Sequence, residues 1–139
     1  MTNSRTGVSN IMTLLLDTCA FIWLTQEPLK LSSAARAAID DSYNELVFSH
    51  ASIWEMHLKH KAGKLILPEP PRQWIPRQME EWKVSERAIL LHAIQRTSDL
   101  PDIHRDPFDR LLVAQALEES FSIVSPDPFF PSYGVSVVW

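Results

Sequence analysis

The run Leu14-Leu15-Leu16 stops at Asp17, and this junction constrains the chain more than any other local feature. Three consecutive apolar residues without alternation suit a strand covered on both faces, as in a parallel sheet. A carboxylate directly after such a strand lies at the carboxyl edge of the sheet, where open α/β sheets bind their ligands. Aspartate is also a common turn and cap residue after any strand, so Asp17 alone is ambiguous.

The rest of the chain alternates helices with strands. Thr18–Thr25 reads as a first helix, and Ser32 or Ser33 caps a second that runs to about Asp41. Leu46–Phe48 is a second strand, followed by Ser49. A longer helix runs from about Ala51 to Ala62 and stops at Gly63, the residue type favoured just past a helix end. Pro68, Pro70 and Pro71 break the chain before a helix over Arg72–Glu81. Val84–Gln95 then reads as a short extended stretch leading into a helix. Asp99–Asp106 is loop, and Asp106-Pro107 opens a helix to about Glu119 with proline at its favoured first position. Phe121–Val124 is a third strand and Val135–Val138 a fourth, at an edge. The expected fold class is α/β, with a short, mainly parallel central sheet flanked by helices. Residues 1–12 read as a loose tail and 13–139 as one domain.

Composition narrows the function classes. An apolar share of 45% in 139 residues supports a core without disulfide staples, and the single Cys19 excludes an internal disulfide or a cysteine-rich zinc site. One free thiol and the absence of any apolar run near the roughly 20 residues of a membrane span suit a cytoplasmic protein. Only three glycines are present, which excludes glycine-rich phosphate loops.

Three further acids stand where a core residue or a strand end is expected. Asp109 shares a helix face with Leu112, Val113 and Ala116, and an unpaired buried carboxylate is costly. Helix-end chemistry explains Asp106, a good N-cap, better than it explains Asp109. Glu55 has Ala51, Leu58 and Ala62 as its helical neighbours, while Lys59 at i+4 offers an ordinary salt bridge. Asp127 follows Ile123-Val124 after Ser125 and Pro126. Four carboxylates converging on one site require cations, and an all-oxygen donor set suits Mg²⁺ or Mn²⁺ rather than zinc. Such a centre activates water and neutralises charge on a phosphodiester.

Charge is uneven along the chain. The net charge is −4, yet residues 59–96 hold eight Lys/Arg against four Asp/Glu, between acid-rich flanks. A basic stretch beside an acidic centre suits a phosphate-contacting rim, although solvated helix faces give the same pattern. His57 and His60 lack a third ligand and read as surface or partly packed side chains. Trp74 and Trp82, with Ile75 and Met79, read as an apolar helix face available to a partner.

Four segments resemble the signature blocks of PIN-domain proteins: LLLDTCAFIWL (Leu14–Leu24), SHASIWEMHLKHKAGKL (Ser49–Leu65), LPDIHRDPFDRLLVAQA (Leu100–Ala116) and IVSPDPFFPSYGV (Ile123–Val135). The likeness is strongest to the VapC-like toxin ribonucleases of bacterial toxin–antitoxin pairs, and it spans nearly everything from Thr13 to Trp139. The resemblance implies a PIN α/β fold, Mg²⁺- or Mn²⁺-dependent cleavage of RNA, a small cognate antitoxin as partner, and a homodimer. It assigns the acidic quartet to Asp17, Glu55, Asp109 and Asp127, an additional acid to Asp106, and supporting polar positions to Thr18, Ser49 and Ser125. Lys59, Lys61, Lys64 and Arg110 are the nearest candidates for gripping RNA phosphates. Cys19 stands where histidine is frequent in this group, and Pro126 precedes Asp127 where the group commonly has Thr-x-Asp. Two other readings use the same residues: a catalytically silent PIN scaffold that binds a partner, and a metal-dependent DNA nuclease or phosphatase.

Overall fold

Leu14, Leu15 and Leu16 are fully buried because β1 (Thr13–Leu16) is the middle strand of five. The protein is described from a computed structural model covering residues 11–139. Chain order continues with α1 (Thr18–Gln26), α2 (Ser33–Asp40), β2 (Glu45–Ser49), α3 (His50–Lys61), α4 (Pro71–Glu81), β3 (Val84–Arg87), α5 (Leu91–Arg96), α6 (Pro107–Glu119), β4 (Ser122–Val124) and β5 (Val137–Val138). The strands lie in the order β3-β2-β1-β4-β5, and every pairing is parallel.

The period of two along each strand divides the interior into two cores. Leu14, Leu16, Leu46, Phe48 and Val124 face α1, α2 and α4, where Phe21 stacks on Phe48 with ring centroids 4.1 Å apart. Leu15, Val47 and Ile123 face α6 and the segments around Leu100 and Phe130. Both faces of the sheet are therefore covered, as the unbroken leucine run requires. Among the described residues no helix is long and apolar enough to cross a membrane.

Helix boundaries follow local chemistry. Ser32, Ser49 and Asp106 accept backbone N–H bonds as N-caps of α2, α3 and α6. Past α3, Gly63 takes φ +75° and its N–H bonds to the His60 carbonyl, while Lys64 N–H reaches back to Lys59. Such a left-handed residue closes a helix at least cost when it has no Cβ.

Four expectations are corrected. The extended stretch at Val84 is a full sheet strand, β3, paired with β2 from Val84 to Arg87. Its Ser85 and Glu86 are exposed because it is an edge, so it lacks the apolar run of the inner strands. Trp74, Ile75 and Met79 are not a surface: they are buried in the first core, with Trp74 edge-on to Phe21. The stripe expected around Glu55 is broken, since Leu58 is exposed and the buried set of α3 is Ala51, Ser52, Glu55 and Met56. Met12 belongs to the folded body rather than to a tail: its N–H bonds Asn44 Oδ1 and its carbonyl accepts from Glu45 N–H. Of the rest of the expected tail, Ile11 is exposed and residues 1–10 lie outside the described residues.

Candidate metal centre

The chain runs outward from β1 to β2 and β3 on one side, then returns to place β4 on the other side of β1. This is a topological switch point, and the crevice beyond the carboxyl ends of β1 and β4 is the expected ligand site of such a sheet. Asp17 follows β1 there and Ser125 follows β4, with the Asp17 N–H continuing the ladder to the Val124 carbonyl at 3.2 Å.

A cleft of about 660 Å³ opens at this point. It is lined by Asp17, Thr18, Cys19, Glu55, Asp106, Asp109 and Asp127, with Lys59 and Lys64 at the same wall. All four acids of the expected quartet thus share one cleft, although they come from the start of α1, the second turn of α3, the first turn of α6 and the loop after β4.

Each acid is held by named partners. Asp17 is the N-cap of α1: its Oδ1 accepts from Ala20 N–H at 2.7 Å, and its Oδ2 accepts from the Ser125 hydroxyl at 2.5 Å. The same Ser125 oxygen accepts from Asp127 N–H at 3.0 Å, so one hydroxyl ties two acids together. Glu55 is buried, with Oε1 accepting from Thr18 Oγ1 at 2.5 Å and Oε2 paired to Lys59 Nζ at 2.9 Å. The salt bridge and the cleft position therefore coexist. Asp106 caps α6 by accepting from Phe108 N–H at 2.8 Å and Asp109 N–H at 3.3 Å. Pro126 does not carry Asp127 out of the cleft, and the Asp127 Oδ1 accepts from Phe129 N–H at 2.9 Å.

Ser49 touches none of the acids. It is fully buried and caps α3, and so acts on Glu55 through the helix that carries it. Lys61 is exposed and is not among the residues that line the cleft. Arg110 turns away: its guanidinium donates to the carbonyls of Thr97, Leu100, Pro101 and His104, which clamps the loop before α6.

Burial pushes the Asp17 carboxyl up to about 6, against the hydrogen bonds from Ser125 and Ala20 that pull it down, and Asp127 and Glu55 push it further up. Burial pushes Asp109 up to about 7, helped by the charges of Asp106 and Glu55 and opposed by His104. Lys59 is raised above its ordinary value, first by its hydrogen bond to Glu55. Cys19 is pushed up to about 11 by burial and by Asp17, so its thiol stays protonated at neutral pH and is no nucleophile. Carboxyls driven toward neutrality by burial and by one another mark a place short of positive charge. Lys59 alone does not supply it, and a hard divalent cation with oxygen ligands fits the donor set.

One residue of the site was not singled out from the sequence. His104 Nε2 lies 3.1 Å from Asp109 Oδ2 and 3.3 Å from Asp127 Oδ2. Among the described residues, these three side chains form the grouping whose metal-capable atoms lie within 4.8 Å of one another. The available signal was its position, two residues before the α6 N-cap in the HRDPFD segment.

Comparison with known proteins agrees with this layout. The PIN domain family model matches residues 14–135. Ribonuclease VapC22 of Mycobacterium tuberculosis is 29% identical over 117 residues, covering 83% of this chain and 87% of the relative. Ribonuclease VapC16 of the same organism is 31% identical over 98 residues, covering 64% of this chain and 70% of the relative. Among solved structures, VapBC2 from Rickettsia felis, bound to a DNA fragment from their promoter, matches with a TM-score of 0.68 over 91% of this chain and 97% of that chain. Its identity is 11%, so that likeness is one of fold. Because the family match runs from β1 to Val135 and takes in every acid of the cleft, the chain belongs to the PIN domain family.

Proposed function

We propose that this chain is a metal-dependent endoribonuclease that hydrolyses RNA phosphodiester bonds as the toxin of a toxin–antitoxin pair. The observation that carries this reading is the convergence of Asp17, Glu55, Asp109 and Asp127 from four separate elements into one open cleft. The ribonuclease relatives support RNA as the substrate class. The fold shared with VapBC2 supports a small antitoxin protein as the partner.

In this reading Asp17 and Asp109, with Glu55 and Asp127, would hold a Mg²⁺ or Mn²⁺ ion. When bound, the ion supplies positive charge to the phosphodiester oxygens and makes water more acidic. Glu55 orients the attacking water and accepts its proton on a carboxylate oxygen. The water oxygen bonds to phosphorus as the bond to the 3′ oxygen breaks. That oxygen takes up a proton, which leaves a 5′-phosphate and a 3′-hydroxyl. Lys59 and Lys64 at the cleft wall meet the flanking phosphates. Thr18 and Ser125 keep Glu55 and Asp17 from turning away.

The test is incubation with total RNA and Mn²⁺ beside Asp17→Asn and Asp109→Asn, with single-stranded DNA of matched sequence as a second substrate. RNA cleavage by the wild type, and a loss of at least 100-fold in both variants, is expected. Equal activity in all three proteins overturns the quartet, and preferential cleavage of DNA overturns the substrate class.

A further inference from the structure

His104 belongs to an irregular loop, yet its position is fixed from every side. Its backbone N–H donates to the Tyr133 hydroxyl at 2.7 Å, and its carbonyl accepts from Arg110. Its ring packs against Phe129 with centroids 5.0 Å apart. The Asp106 N–H donates to Nδ1 at 3.2 Å. A loop held by four unrelated contacts at one residue is built to aim that residue.

The Asp106 contact settles what the ring can offer. A backbone N–H pointing at Nδ1 requires a lone pair there, so the ring N–H lies on Nε2. That nitrogen then donates, and the oxygen it meets in hydrogen-bond geometry is Asp127 Oδ2, with Asp109 Oδ2 3.1 Å away. An imidazole ligates a metal through a lone pair, and Nε2 has none in this tautomer. The proximity of His104 to two carboxylates therefore argues for a hydrogen bond rather than for ligation.

We propose that His104 is a positioning residue that acts through Asp127. Its Nε2–H donates to Asp127 Oδ2 at 3.3 Å, with Asp109 Oδ2 3.1 Å away but not hydrogen-bonded to it, and so holds the Asp127 carboxylate beside Asp109 for a divalent ion without contacting the ion. The inference rests on the reading that these acids hold a metal. It adds an order of dependence: Ser125 ties Asp127 to Asp17, and His104 holds Asp127 beside Asp109, so three of the four acids are positioned by two residues that are not ligands, while Glu55 is held by Thr18 and Lys59. Donors behind metal-holding side chains typically change metal affinity by about 10–100-fold when removed.

The experiment titrates Mn²⁺ into the full chain, following free Mn²⁺ by electron paramagnetic resonance, for wild type, His104→Ala and His104→Gln. Glutamine places an N–H donor near the Nε2 position and cannot act as an imidazole ligand. His104→Ala is expected to weaken Mn²⁺ binding by at least about tenfold, and His104→Gln to recover most of that loss. Spin-echo spectra of the wild-type complex are expected to lack the coupling of a directly bonded nitrogen. The proposal is overturned if His104→Ala binds like wild type, if glutamine recovers nothing, or if a directly bonded nitrogen is seen and vanishes in His104→Ala. Failure of the wild type itself to bind Mn²⁺ overturns instead the metal reading on which the proposal stands.

Discussion

The Ser125 hydroxyl donates to Asp17 Oδ2 at 2.5 Å across 108 residues of chain. It joins the carboxyl end of β1 to that of β4 at the point where the two strands flank the cleft. Ser125 is buried, and its oxygen also receives the Asp127 N–H. Ser125→Ala leaves both partners without this contact, at an expected cost of about 1–3 kcal/mol. Denaturant melts measure that loss. Titration of the same variant is expected to show Mn²⁺ binding weakened by about tenfold. Unchanged affinity shows that Asp17 holds its orientation through Ala20 alone.

The pH dependence of stability has a definite sign. The ordinary carboxyl value is 3.8, and in the folded chain Asp17 rises to about 6 and Asp109 to about 7. Between the ordinary and the raised values the folded state binds more protons than the unfolded one, so these two groups make stability fall as pH rises. Metal-free protein is expected to lose melting temperature from pH 5 to pH 8. Asp109→Asn flattens the upper part of that decline. Under the proposed function Mn²⁺ is expected to bind the ionised acids and so to raise the melting temperature more at pH 8 than at pH 5. Calorimetry at the two pH values, with and without Mn²⁺, checks all three, and a wild-type profile parallel to that of Asp109→Asn contradicts the assignment.

Arg110 separates a structural role from an RNA-binding one. Its guanidinium serves four carbonyls of the loop over 97–104, a geometry that a single ammonium cannot reproduce. Arg110→Lys keeps the charge and is expected to raise amide exchange through residues 100–106 by at least tenfold. Wild-type exchange in that loop, combined with weaker RNA binding, shows instead that the charge matters at the substrate.

Ser120 ends α6 at φ +60°, with Phe121 N–H bonded to the Ala116 carbonyl at 2.9 Å. A non-glycine residue pays about 1 kcal/mol for that backbone conformation. Glycine removes the strain but has more freedom to lose on folding. Ser120→Gly is expected to stabilise the protein by about 0.5 kcal/mol, measured by chemical denaturation. Destabilisation shows that the strain is relieved elsewhere.

What the sequence made legible is what depends on near neighbours. The leucine run, the caps Ser32 and Asp106, Pro107 and Gly63 each act within a turn or a strand, and their positions agree with the elements found. Asp17 and Asp109 stood out because a charge interrupts an apolar pattern. His104 did not, because its partner Asp127 is 23 residues away and its loop has no periodicity. The α4 pattern points Trp74 outward because it does not show that Phe21 and the sheet cover that residue. β3 was read short because an edge strand with Ser85 and Glu86 exposed lacks the signature of the inner strands.

The placement of β1 between β2 and β4 has a consequence for biosynthesis. The second neighbour of β1 begins at Ser122, more than 100 residues after β1 ends. Chains emerge from the ribosome amino end first. A nascent chain that has released only α3 carries Asp17 and Glu55, but not Asp109, Ser125 or Asp127, and one side of β1 is still unpaired. Assembly of the cleft is thus deferred until β4 and the loop after it have been translated, and no amino-terminal fragment ending before β4 holds a complete centre.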